Sequence, residues 1–341
     1  AFPAPVAAAA LVFGRQVNDL AGGGPEIFER LAAAGLIILV TGAHLVSVIF
    51  SGKFQWIATG SKILLLIILA TCGFILPAGQ PVHFLPQPGD GALIGGTAFY
   101  VSLIYVLYTY SGWNAACYIA GEMDNPGKNV PRALLIGTTI VTVIYLGVNA
   151  AMLYAVPMGN LALAGDGLAY ETARHTFRGF GVPLMAGLIA AGLASAVSAM
   201  TWAGPRVTQQ MGVDYPFLGI LARTNRGGVP WVAVLLQSVI ALVLVFSDDV
   251  GAIMRRTGFL LQAMLLLTVW GVIHLRVRQP LLARPYRAWG YPYTTILFLI
   301  MVGCTLAFIL RENSHDTHWG MGILAVGVAF YLIARSPRKR E

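Results

Sequence analysis

A chain of 341 residues with 57% apolar and only 11% charged residues and a mean hydropathy of +0.74 is not built for water, because soluble domains carry roughly 25% charged residues. Its formal charge of +8 requires no nucleic acid, since basic residues retained at the cytoplasmic ends of membrane spans produce the same excess. Cys72, Cys117 and Cys304 fall in apolar runs at unrelated spacing, and the six histidines form no ligand motif, which excludes a disulfide framework and a metal centre built on these residues.

A bilayer core of about 30 Å needs roughly 20 helical residues, and ten apolar runs are predicted as membrane segments. The first, Ala1 to Gly14, is too short to span, begins without Met and lacks the basic leader of an export signal; an upstream part of a longer protein is therefore expected. The others run from about 31 to 50, 54 to 76, 93 to 121, 133 to 155, 181 to 204, 230 to 247, 250 to 275, 291 to 310 and 319 to 334. Between the fifth and sixth, the stretch Pro157 to Gly181 carries Asp166, Glu171, Arg174 and Arg178 and is expected to hold a short helix over the outer mouth, its charges solvated. Arg255 and Arg256 are expected to meet headgroups or Asp248 and Asp249.

If the first run exits outward, inside-facing Lys and Arg outnumber outside-facing ones two to one, placing the carboxyl terminus in the cytoplasm. The tail "RSPRKRE" adds attraction to anionic lipid. No Asp or Glu lies in the middle of a span, which disfavours acidic proton relays and cation channels with acidic rings. His44 and His274 inside spans are expected to be hydrogen-bonded packing residues.

One cation remains within a span. Lys62, in "SGKFQWIATGSKILLLIILATCGF", lies nine residues past Lys53, roughly 13 Å along the helix at about 1.5 Å per residue. At that depth a lysine costs on the order of 3 kcal/mol and must face protein. It serves either as a structural donor to neighbouring carbonyls or as a positive charge that titrates beside an interrupted helix.

The stretch "LYTYSGWN", Leu107 to Asn114, supplies such an interruption. Ser111 and Gly112 hold a helix poorly. The sequence allows two half-helices, Gly95 to Tyr110 and Trp113 to Met123, the second of about three turns. Carbonyls at the end of the first half would suit an ammonium group. A glycine kink used for close helix packing fits the local sequence equally well.

The segment continues "GWNAACYIAGEMDNPGKNVPRALLIGTTIVTVIYL". Its aromatic-x-x-x-Gly-Trp-Asn run, its Gly-Glu, and Asn125-Pro126 followed by Val130-Pro131-Arg132-Ala133 resemble the amino acid-polyamine-organocation transporters. These are the amino acid permeases, and the likeness is greatest to bacterial members close to the L-type exchangers. "SGKFQWIATGSK", "AGPRVTQQM" and "HLRVRQPLLARPYRAWGYP" extend the resemblance over nearly the whole chain.

The resemblance implies an all-α integral membrane protein with the LeuT-like inverted-repeat transporter fold, the third to twelfth helices present and the first two missing. As one transporter domain, residues 1–76 would close the first repeat, 93–275 form the second and 291–334 add two helices. It also implies that backbone carbonyls at Tyr108 and Ser111 hold the substrate ammonium and that Tyr108 covers the substrate. Gly112 leaves room for its main chain, while Trp113 and Asn114 begin the second half-helix. Lys62 stands where sodium-coupled relatives bind a cation, so proton coupling is assigned to it, and Ser195 and Ser198 become helix-packing serines. Glu122 is the candidate cytoplasmic gate, pairing with Lys128 or Arg132, or else a solvated loop acid.

The chain departs from the family at "MGVDYPFLGIL", where relatives carry an Arg/Asp-Gly-x-x-Pro pattern, and it lacks the first broken helix that binds the substrate carboxylate. The expectation is secondary active transport of amino acids or related amines across the plasma membrane by alternating access, by proton symport or exchange. No catalytic residue, metal or cofactor is called for, and the partners are substrate, protons and lipid. The alternatives are a membrane scaffold or non-transporting fragment and, from a different class, a membrane-embedded enzyme, for which no nucleophile-base pair exists.

Overall fold

The structure, a computed structural model, describes residues 3–76, 112–164, 167–284, 286–311 and 315–333, with isolated positions between 79 and 110. Among the described residues every regular element is helical. In chain order these are α1 (Pro3–Leu20), α2 (Glu26–His44), α3 (Val48–Ile75), α4 (Ala115–Tyr118), α5 (Pro126–Ala155), α6 (Met158–Ala164), α7 (Leu168–Phe177), α8 (Gly181–Asp214), α9 (Trp231–Ser247), α10 (Val250–Arg278), α11 (Tyr293–Arg311) and α12 (His315–Ile333). Helices α2, α3, α5, α8, α10 and α11 are long and apolar enough to cross a membrane, and α9 and most of α12 are shorter apolar helices. About half of the expected span 93–121 lies outside the described residues.

Helix α1 sits at the centre. Its Val6, Ala7, Ala8, Ala10 and Leu11 meet Ala33, Ile37 and Val40 of α2, Val197 of α8, Ala241 and Val245 of α9 and Ile253 of α10. Small side chains let backbones approach where lipid is as apolar as leucine, so dispersion and fit hold this centre together. The helix also corrects the sequence expectation of a run ending at Gly14. It continues to Leu20, because Gly14 is the point where the backbone of Glu29 in α2 comes against α1 and any Cβ would collide. In its last turn, Asn18 closes the α1–α2 corner by accepting from the Gly24 amide at 2.8 Å and donating to the Gly24 carbonyl at 3.0 Å.

Proline misled two further boundaries. α8 does not stop at residue 204 but runs through Pro205 to Asp214; proline removes one ladder bond, a loss that membrane helices absorb through neighbouring side chains. α5 begins at Pro126, seven residues before the expected start, since proline suits the first turn of a helix. In the segment Pro157 to Gly181 two short helices form, α6 and α7, with Thr172, Ala173 and Thr176 of α7 buried. Leu69 of α3, Ala173 of α7 and Met185 of α8 share a cluster. Arg256 pairs with Asp248 at 2.9 Å, and Asp249 caps α10 by accepting from Ala252 N at 2.8 Å.

Candidate functional site

At the end of the interrupted segment the Tyr110 amide still bonds the Val106 carbonyl at 3.1 Å. Two residues later the backbone turns: Gly112 has φ +93°, a conformation reserved in practice for glycine. Among the described residues nothing lies within 4 Å of where a Cβ on Gly112 would sit, so what these residues impose there is conformational rather than steric. Tyr108 and Ser111 lie outside the described residues.

After the turn the chain makes one α turn, α4, and one 3₁₀ turn, Ala120–Glu122, instead of the three-turn half-helix expected from sequence. Asn114 Nδ2 donates to the Tyr118 hydroxyl at 2.6 Å within this turn, and Trp113 stands edge-on to Phe298 of α11 with ring centres 6.4 Å apart. From α5, the Tyr145 hydroxyl reaches the Thr109 carbonyl at 3.4 Å, and Tyr110 bonds Thr142 at 3.0 Å. The break is therefore flanked by α5 and α11.

Lys62 is half-buried on α3. At about 100° per residue it falls within about 20° of Ser51, Gln55, Leu69 and Gly73 on the helix surface; three of these are buried, and the fourth, Gln55, accepts a hydrogen bond from Ser198 of α8 at 2.7 Å. Lys62 thus belongs to the protein-facing stripe. Gln55 meets Ser198 and Leu69 clusters with Met185, so this stripe of α3 carries contacts to α8.

Glu122 pairs with neither Lys128 nor Arg132. Its Oε1 accepts from Nε of Arg206 on α8 at 3.0 Å. Arg206 has a side chain only 6% exposed, against 32% for Glu122; the acid is the movable partner and the base the fixed one. Arg206 Nη1 also donates to the Trp202 carbonyl, and the guanidinium lies 5.8 Å from the Trp202 ring centre. Sequence reasoning missed Arg206 because the run was ended at residue 204, which left it as one more cytoplasmic base.

A second group was legible in the sequence only as a packing histidine, its partners not at all. His44, 1% exposed, shares its Nε2 with Ser198 Oγ at 2.9 Å. Because Ser198 gives its one proton to Gln55, His44 Nε2 carries the hydrogen, and Nδ1 is left as a buried acceptor that no donor reaches among the described residues. Thr41 and Ser238 add a bond of 2.7 Å between α2 and α9, and Gln237 Nε2 donates to the Met200 carbonyl at 3.1 Å. These bonds tie α2, α3, α8 and α9 at positions that periodicity marks only as core. Among the described residues no group of His, Cys, Asp and Glu could hold a metal ion.

A family model described as amino acid permease matches residues 4–331. The chain is similar to the b(0,+)-type amino acid transporter 1 of Homo sapiens, at 24% identity over 317 residues, covering 91% of this chain and 63% of that protein. It is similar to the serine/threonine exchanger SteT of Bacillus subtilis (strain 168), at 24% identity over 342 residues, 99% of this chain and 76% of the relative. The cystine/glutamate transporter of Homo sapiens is 26% identical over 339 residues, 97% of this chain and 66% of the relative. The chain thus spans just under two thirds of the length of both human relatives.

Proposed function

The chain belongs to the amino acid permease family, and from that premise we propose that it carries amino acids across the cell's inner membrane by alternating access, its carboxyl terminus in the cytoplasm. The observation that carries this reading is the positive φ of Gly112 between the helical turn at Tyr110 and α4. A backbone that turns at membrane depth is tolerated where it lines a polar path, and its freed carbonyls suit an ammonium group.

In this reading the backbones of Tyr108 and Ser111 receive the substrate ammonium, and Gly112 gives the main chain room. Trp113, held by Phe298, forms a wall, and the Asn114 carbonyl oxygen faces substrate while its amide is spent on Tyr118. Lys62 provides proton coupling from the α3 face turned toward α8. Glu122 is a cytoplasmic latch whose partner is Arg206. The repeats comprise residues 1–76 and 93–275, with 291–334 appended.

Uptake of radiolabelled serine, cystine and glutamate, the substrates in the relatives' names, by proteoliposomes holding the protein tests the reading. Saturable uptake is expected, and Tyr108→Ala and Gly112→Leu each reduce it strongly; wild-type affinity in both variants would remove the site from position 112. A membrane scaffold gives no uptake at all. Lys62→Ala abolishes the dependence of uptake on external pH while binding persists, and an unchanged pH dependence removes Lys62 from the mechanism.

A further inference from the structure

The pair Glu122–Arg206 leaves chemistry unused. Arg206 presents five N–H donors; Nε goes to Glu122 and Nη1 to the Trp202 carbonyl, but buried Nη2 reaches no acceptor among the described residues. One turn earlier on the same helix, the Trp202 indole Nε1–H is also buried without an acceptor. Both orphaned donors belong to residues one turn apart, with the guanidinium 5.8 Å from the indole ring centre, and one of them is on a cation. A buried donor left unsatisfied is costly, and together the two match a carboxylate with its two oxygens.

We propose that Arg206 and Trp202 form a carboxylate-binding transit site at the cytoplasmic end of the substrate path, closed by Glu122 in the state observed. A carboxylate arriving from the break at Gly112 engages Nη2 of Arg206 and Nε1 of Trp202 and competes with Glu122 for the same guanidinium. Since Glu122 is the more exposed partner and sits on a short 3₁₀ turn, it yields, and the latch loosens when substrate reaches it. The site rests on the transport reading for the source of the carboxylate, although its chemistry stands on the two donors alone.

The test uses the purified full chain in detergent with ¹⁵N-labelled tryptophan, the Trp202 indole resonance being assigned by its loss in Trp202→Phe. Acetate is the probe, with chloride and methylammonium as comparisons. Acetate is expected to shift the Trp202 indole N–H resonance downfield and saturably, and Glu122→Gln, which removes the competing carboxylate, tightens acetate binding on the order of tenfold. Methylammonium leaves the resonance in place. No saturable shift in either wild type or Glu122→Gln overturns the site, and an equal shift with chloride overturns its assignment to carboxylates. Serine, cystine or glutamate uptake by the same preparation is read separately: an acetate shift without uptake of any of the three retains the site and removes transport as its purpose.

Discussion

Ser198 is 0% exposed and bonds both His44 and Gln55, so one hydroxyl holds three helices. Ser198→Ala strands the imidazole N–H of His44 and is expected to lower stability by roughly 1–3 kcal/mol, read as a lower melting temperature in detergent. His44 was legible as an intramembrane packing histidine. Its partner was not, because Ser198 is 154 residues away and serine occurs at helix contacts for many reasons. Gly112 carries a backbone cost instead: Gly112→Ala forces a Cβ onto φ +93°, worth about 1–3 kcal/mol, with local unfolding of 112–118 visible as faster amide exchange.

At the level of elements, α7 shows how a short helix outside the spans is fastened. Tyr170 donates its hydroxyl to Gln16 of α1. Burial, and then the charge of Asp19, push the phenol pKa above its ordinary 10.0. A folded pKa raised above the unfolded one means the contribution is complete below that ordinary value and disappears as pH climbs through the folded one. The α7–α1 contact is therefore expected to loosen in strong alkali, seen as increased proteolysis near α7, and Tyr170→Phe removes that pH dependence. Between α1 and α2 the determinant is steric. Gly14→Leu drives a side chain into the Glu29 backbone and is expected to cost more than the roughly 1–3 kcal/mol typical of overpacking, since backbone yields less readily than a side chain. The sequence marked Gly14 as a boundary for the reason that fits an isolated helix, and tertiary contact reversed its meaning.

Across the whole molecule the distribution of charge orients the chain and the distribution of small residues assembles it. A fluorescent reporter joined after Glu341 is expected to fold and fluoresce on the cytoplasmic side, as the two-to-one bias of Lys and Arg dictates; an external reporter would invert every assignment of inner and outer mouth. Composition and apolar run length by themselves determined that the chain is helical and built for a bilayer, because the cost of burying unpaired backbone in hydrocarbon leaves few alternatives. Local residue chemistry also marked Ser111-Gly112 as a place where a helix is held poorly, and Gly112 has φ +93°, a conformation glycine takes without strain. Only the tertiary structure decided that Glu122 faces Arg206 rather than Lys128 or Arg132, and that α1 is the hub. The α8 helix passes through Pro205 and carries that arginine to Glu122. Those outcomes depend on which helix faces lie together, across 84 residues for Glu122 and Arg206, and helical periodicity specifies a face without specifying its partner.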